Sequence, residues 1–217
     1  MSTVLPATGI TEVLYTARAM RRLRPDPVPV EVLSELVEAA TMAPTASYRQ
    51  NWRFVVVNDP GVIDQLGQIH ARIFEFARPL ASATLPEGVF RSVAHLGTKL
   101  GEAPALVVVG GTEAPDGRAG IQAFRTWYAG ILPAVQNLIL AARARGLGTT
   151  LTTLLLEGAH DEVRDLLGIP EDVVLVAVLP VGYPSGHFGR PPRLPVSEVA
   201  FLNHYGTPLP DPPKSDS

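Results

Sequence analysis

The stretch IQAFRTWYAGILPAVQNLILAARAR, Ile121 to Arg145, decides the reading of the fold. From Ile131 through Ala142 it is apolar nearly all round, the mark of a helix buried at the centre of a protein rather than laid on its surface. The pattern predicts one long helix, with Pro133 as a point of kinking. Gly146 falls where a helix C-terminus favours a left-handed residue, and Arg143 and Arg145 occupy the last turn, where cations suit the dipole. Pro104–Val109 and Val173–Val181 are short unbroken apolar runs that read as buried strands, the second central. Pro180 must then lie where no ladder donor is needed.

Outward from this centre, Leu33, Leu36, Val37 and Ala40 recur at helical spacing and predict a helix from about Val30 to Met42, opened by Pro29 and stopped by Pro44. Phe54–Val57 reads as a strand closed by Asn58, Asp59 and Pro60. Val62–Phe76 follows as a helix, with Ile63, Leu66, Ile69 and Ile73 on one stripe. From Arg78 to Gly101 the pattern is weak, Pro79 and Pro86 break it, and the segment reads as an irregular lid or substrate loop. Gly110–Gly120 reads as loop, Thr149–Thr153 as a short hydroxyl-rich strand, and Glu157–Leu167 as an amphipathic helix ending at Gly168. Beyond Gly182 the prolines crowd (Pro184, Pro191, Pro192, Pro195, Pro208, Pro210, Pro212, Pro213), which predicts an extended arm as far as about Tyr205 and disorder from Asp211 to Ser217. The whole is expected to be one two-layered α+β domain with a mostly antiparallel central sheet flanked by helices.

A chain of 217 residues, 46% of them apolar, suits one domain with a sizeable core. The 18 basic and 21 acidic residues leave a formal charge of −3, which gives no reason to expect nucleic acid or an anionic membrane as partner. There is no cysteine, so thiolate nucleophiles, disulfides and iron–sulfur ligation are excluded, and any redox chemistry needs a borrowed cofactor. Met1–Ile10 lacks the pattern of a secretory signal, and no apolar run nears the roughly 20 residues of a membrane span. A soluble, cytoplasmic protein is the expectation. His70, His95, His160, His187 and His204 are scattered without metal-ligand spacing and read as surface or locally bonded side chains. The strand followed by Gly110-Gly111 does not complete a dinucleotide-binding loop. Trp127 and Tyr128 are either core or an aromatic wall of a pocket.

Four segments carry candidate chemistry. Arg18, Arg21, Arg22 and Arg24 crowd one short stretch of a chain with no basic excess, so they form either a phosphate site of guanidinium forks or a solvated helix end. Ala43–Phe54 is a polar loop between a helix and a strand, dense in hydrogen-bonding side chains. Gly146–Thr153 and Arg190–Pro195 are, taken singly, a capped helix end with a Thr-rich strand and an ordinary extended arm.

In order and spacing, however, these segments resemble the nitroreductase family. The resemblance rests on the Arg-rich run before Pro25-Asp26-Pro27-Val28-Pro29, the Ala43–Phe54 loop, Gln136-Asn137-Leu138 leading to Gly148-Thr149, the run Leu179–Pro184, and Arg193-Leu194-Pro195. It covers roughly Arg18 to Tyr205. It implies FMN held at the interface of an interlocked homodimer, with the arm after Gly182 lying across the partner. Arg18, Arg21, Arg22 and Arg193 match the family's cofactor-binding positions, with phosphate contacts at Arg18, Arg21 and Arg193. Thr45, Ala46, Ser47 and Gln50 match the loop that touches the flavin from the other chain. Leu151, Thr152 and Thr153 match the segment beside flavin N5, with Thr153 the residue nearest to a catalytic role. The activity implied is ping-pong transfer of reducing equivalents from NAD(P)H through FMN to an electron-poor small molecule such as a nitroaromatic or quinone, with no metal. The resemblance also leaves open a flavin enzyme that fragments, dehalogenates or dehydrogenates one specific molecule, or a protein that only stores FMN. Ala19, Tyr48 and Asn51 depart from the family's usual serine, asparagine and proline.

Overall fold

The computed structural model describes residues 9–116, 118 and 120–212. Its sheet has the order β1-β2-β4-β3, with β1 Trp52–Val57, β2 Ala105–Gly111, β3 Gly148–Thr149 and β4 Val174–Gly182. Every pairing is antiparallel, Val55 facing Val108 and Val108 facing Val178. The architecture is the α+β class read from the sequence, but with three layers rather than two. On one face, Val107, Val109, Ala177 and Leu179 pack with α2 (Val30–Thr41) and α5 (Gly120–Ala144). On the other, Leu106, Val108 and Val178 pack with α3 (Pro60–Thr84), α4 (Glu87–Lys99) and the short helices α6 (Leu154–Gly158) and α7 (His160–Leu167). Strand residues alternate between faces, so two apolar runs with no polar face require helices on both sides. No helix of the described residues is long and apolar enough to cross a membrane.

Helix α5 fits its prediction, and its end is a Schellman cap. Gly146 sits at φ 71°, Gly146 N–H donates to Arg143 O at 3.0 Å and Leu147 N–H to Ala142 O at 2.8 Å. Gly110 and Gly111 were read as loop but end strand β2. A Cβ on Gly111 would lie 2.4 Å from Ile131 Cδ1, so the strand is glycine here because α5 crosses it in contact.

The largest correction concerns Arg78–Gly101, which is helical almost throughout. Asp59 Oδ1 accepts from Gly61 N at 2.8 Å and Val62 N at 3.0 Å, so α3 begins at Pro60 and runs through Pro79 to Thr84. Proline removes one backbone bond, but Pro79 is exposed, and the turn before it is held on α4 by Phe74, whose ring lies against Gly97. Pro86 opens α4 instead of breaking a segment, its carbonyl accepting from Phe90 N at 2.9 Å. The helix expected over Glu157–Leu167 is two, α6 and α7, parted at Ala159, with Gly168 left-handed as expected.

A helix with no clear sequence signal, α1 (Ile10–Thr16), is pinned by a buried arginine. Arg143 Nε donates to Thr16 Oγ1 and Nη2 to Glu12 Oε1, both at 2.8 Å, while the guanidinium lies 4.1 Å from the Phe188 ring centre. The first part of the C-terminal arm therefore lies along its own chain. Farther on, one helical turn, α8 (Val196–Val199), precedes a bridge of Phe201 to Pro208. Asp211, read as the start of disorder, accepts from Ser197 N at 3.1 Å and Ser197 Oγ at 3.0 Å; residues 213–217 lie outside the described residues.

Two outcomes test this frame. Gly146→Ala should cost about 1 kcal/mol in chemical denaturation, because the left-handed position carries the cost of a Cβ. Arg143→Met should leave α5 in place but speed amide exchange at Val13 and Ala17, whose helix loses both of its side-chain ties.

Candidate functional site

The arginine cluster is neither helical nor free. Residues 17–24 run extended alongside β3 and the start of the arm: Met20 N donates to Thr149 O at 2.9 Å, Arg24 N to Tyr183 O at 2.7 Å, and Ser185 N to Arg22 O at 3.0 Å. Met20 is buried and Leu23 half-buried, so two apolar side chains anchor a segment whose arginines are left for other work. Arg18 Nη2 donates to His187 O at 3.2 Å, and Arg22 is exposed. Arg21 is half-buried, touches only Ser92 Oγ at a marginal 3.5 Å, and burial lowers its pKa from the usual arginine value. Arg18, Arg21, Arg22 and Arg193 have no carboxylate partner among the described residues, and neither do Arg53, Arg118, Arg125 and Arg190; what sets Arg18, Arg21 and Arg22 apart is their crowding on one docked segment. A guanidinium taken partly out of water without an anion is unfavourable, so Arg21, the half-buried one, is suited to an anion brought from outside.

Leu151, Thr152 and Thr153 lie next to this segment along the same edge. Residues pointing from β4 toward β3 include Val178, which exchanges two 2.9 Å bonds with Thr152, and Pro180, two residues on. Pro180 has no N–H to give, which interrupts the β3 ladder between Thr149 and Thr152. The proline thus sits at the gap in the ladder, where no donor is used, as the sequence requires. Thr152 Oγ1 accepts from Leu154 N at 3.3 Å, and Thr153 Oγ1 donates to Glu157 Oε1 at 3.0 Å. The Thr153 hydroxyl proton is committed to Glu157, so Thr153 offers it to a ligand only by exchanging that partner. Beside these threonines opens a chamber of about 270 Å³, walled by α3 and α4 and including His70, Phe74, Val93 and Leu96.

The Thr45–Asn51 loop is elsewhere. Ser47, Tyr48 and Gln50 have φ of 51°, 56° and 49°, an unusual density of left-handed residues that are not glycine. Thr45 Oγ1 accepts from Gln50 N at 3.3 Å, and buried Asn51 donates from Nδ2 to Thr112 O at 3.2 Å. Trp127 Nε1 donates to the same carbonyl at 2.8 Å, so this residue is both core and wall of a second cavity, about 380 Å³, shared with Ala46, Ser47 and Gln122. Trp52 and Thr152 sit on opposite edges of the sheet, and Trp52 pairs across Gly111 to Val174, four residues along β4 from Val178. At the usual strand spacing and rise this separates them by roughly 20 Å.

Within one chain, then, the segment of Arg18, Arg21 and Arg22 and the segment of Leu151, Thr152 and Thr153 run along the same sheet edge, with Arg18 turned to His187 and Arg21 to Ser92. Thr45, Ala46, Ser47 and Gln50 form a separate group. Arg193 joins neither through a bond of its own: it is exposed, and Nη1 donates only to Pro192 O at 2.9 Å. Sequence reasoning missed Glu157 and His70. His70 falls with Ile63, Leu66 and Phe74 on the buried stripe of α3, and that spacing was the available signal.

Known proteins resemble this chain in sequence and in fold. The sequence model of the Nitroreductase family matches residues 14–183. The chain is similar to an NADH dehydrogenase of Thermus thermophilus, 31% identical over 93% of this chain and 99% of that one. It is equally similar to a 5,6-dimethylbenzimidazole synthase of Rhodospirillum rubrum, 32% identical over 81% and 82%. In structure it superposes on oxidized iodotyrosine deiodinase bound to FMN and 3-iodo-L-tyrosine with a TM-score of 0.66, 24% identity, and coverage of 92% and 100%, which shows a shared fold. An ordered set of matching segments, their assembly around one three-layered sheet and a match spanning most of the chain make this protein a member of the nitroreductase family.

Proposed function

We propose that the chain is an FMN-dependent oxidoreductase that draws reducing equivalents from NAD(P)H and passes them to an electron-poor small molecule, working as a homodimer. The observation that carries this reading is one segment with Arg18, Arg21 and Arg22, free of carboxylate partners, docked on Thr149 along the edge that leads to Thr152 and Thr153. Their chemistry fits the cofactor: a phosphate monoester offers oxygens that match guanidinium forks, and it supplies the anionic partner that Arg21 lacks. When bound, FMN supplies two-electron transfer that no side chain of this cysteine-free chain can perform.

In this reading Arg18 and Arg21 hold the phosphate, and Arg22 adds positive charge from the solvent side. Arg193 swings in from the arm. The Thr153 hydroxyl, poised on Glu157, takes the place beside the ring. The Thr45–Gln50 loop stands too far away to serve its own chain's site, which argues that it serves the site of a second copy. A second reading, a flavin enzyme dedicated to one small molecule, is favoured by the equal identity to 5,6-dimethylbenzimidazole synthase and to NADH dehydrogenase. Steady-state oxidation of NADH and NADPH with a nitroaromatic or quinone separates the two, since a dedicated enzyme turns over neither acceptor.

Equilibrium dialysis against FMN and riboflavin tests the cofactor reading directly. The natural chain should prefer FMN, and Arg21→Ala should weaken FMN binding by about 10- to 100-fold while leaving riboflavin unchanged, the span of one lost charge-assisted bond. Equal affinity of the natural chain for both would overturn the phosphate site. The two-chain site has its own test. Ser47→Trp and Arg21→Ala should each lose FMN alone, but unfolding and refolding them together in equal amounts should restore about a quarter of all sites, one intact site per mixed dimer. No recovery on mixing would place the loop and the arginines in the same chain's site.

A further inference from the structure

Arg143 is 6% exposed, at the end of α5 with the buried Leu138 and Ala142. A buried ion pair rarely stabilises a fold more than an apolar side chain of the same size would, so a guanidinium here has to do something that an apolar group could not. It joins two segments far apart in sequence. Glu12 and Thr16 of α1 accept its hydrogen bonds, and Phe188 of the arm lies against it, the ring centre 4.1 Å from the guanidinium carbon. Arg190 then stacks on Tyr15, its guanidinium carbon 4.7 Å from that ring centre, so the arm and α1 are tied twice.

Phe188 follows His187, whose carbonyl accepts from Arg18 Nη2 at 3.2 Å. Residues 186–189 belong to no helix or strand and make no backbone-to-backbone hydrogen bond among the described residues. Gly186 and Gly189 flank the pair, and glycine leaves the backbone free to turn. The direction of the His187 carbonyl is therefore set by the side chain beside it, and that side chain rests on Arg143. From the other direction Arg143 holds Thr16, just ahead of Arg18 in the chain. Arg18 is exposed, and a long side chain left free loses much rotamer freedom when it meets an anion. One N–H given to a fixed carbonyl limits that loss and leaves the remaining donors of the fork for the anion.

We propose that Arg143 is a positioning residue of the phosphate site: without touching the cofactor, it holds Phe188, and through the His187 carbonyl it keeps the Arg18 fork ready for a phosphate monoester. The identity of that anion rests on the flavin reading above.

Equilibrium dialysis of Phe188→Leu and Arg143→Met against FMN and riboflavin tests it. Phe188→Leu keeps an apolar cover but withdraws the ring face, and Arg143→Met withdraws the guanidinium. Each should bind FMN about ten-fold more weakly than the natural chain does, while riboflavin, which has no phosphate, binds as before. The Phe188→Leu loss should vanish in an Arg18→Ala background and persist in an Arg21→Ala background, because the path runs through Arg18. Should Arg143→Met fold poorly, the Phe188→Leu series decides by itself. Unchanged FMN affinity in Phe188→Leu, an equal loss of FMN and riboflavin, or a loss as large in the Arg18→Ala background as in the natural one would each overturn the proposal. Failure of the flavin reading looks different. A natural chain that binds FMN no better than riboflavin removes the phosphate site and this role with it, whereas an FMN preference that Arg18→Ala reduces and Phe188→Leu does not removes this role alone.

Discussion

Val107, Val108 and Val109 of β2 lie opposite Leu179, Val178 and Ala177 of β4, and all six are at most 1% exposed. This pairing joins the backbone ladder to the burial of both sheet faces, and every other element is placed by it. Each valine or leucine among them contributes about 1.5–3 kcal/mol on leaving water, so covering both faces outweighs local preferences that point elsewhere. Helix α3 shows the balance. Its buried residues, Ile63, Leu66, Gly67, His70 and Phe74, all precede Pro79, and the largely exposed turns that continue to Thr84 are carried by that packed body despite a proline cost of about 3 kcal/mol.

Strand β4 also organises the site. Its residues leave the sheet at Gly182 and within three positions bind the arginine segment through Tyr183 and Ser185, while Val178 holds Thr152. Groups 130 positions apart in sequence therefore meet because both are tied to one strand. Pro180, between those anchor points, opens the ladder, and the backbone of Thr150–Leu151 is released from pairing just where the chamber begins. The irregularity that a sheet would ordinarily avoid is what makes room for a ligand beside it.

Much of this was legible in the amino-acid order. The two apolar strands, α2, α5 and its glycine cap follow from periodicity and from a glycine at a left-handed position, both local properties. The α3–α4 hairpin was not legible, because α3 beyond Phe76 is carried by the packed turns before it, α4 is weakly patterned, and proline is read locally as a stop. Gly110 and Gly111 failed for the converse reason: glycine signals freedom, while here it answers a close approach by Ile131. In the site, the arginines were found by their crowding and the loop by its polarity. That the arginines lack partners is a fact of tertiary placement and has no sequence signature. His70 was passed over because a histidine without ligand spacing looks ordinary, although its place on the stripe of Ile63 and Leu66 marked it as buried.

The Thr45–Asn51 loop poses a different energetic question, since its left-handed residues are strained. Three left-handed residues that are not glycine cost about 1–2 kcal/mol each, and such strain persists only where surrounding bonds over-determine it. Those bonds are present: Asn51 and Trp127 both donate to Thr112 O, Thr112 N returns a bond to Asn51 O at 2.8 Å, and Thr45 Oγ1 holds Gln50 N. Asn51, which replaces a proline common in the family, performs by hydrogen bonding what a fixed ring does by covalent constraint. The loop is thereby held in shape before anything binds, and it raises Tyr48, 84% exposed, at its tip. A rigid, strained loop carrying a bare aromatic ring is costly on a surface that faces only water. It becomes economical when a second chain covers the ring and uses the loop's geometry, because the ordering that association demands has already been met within the monomer.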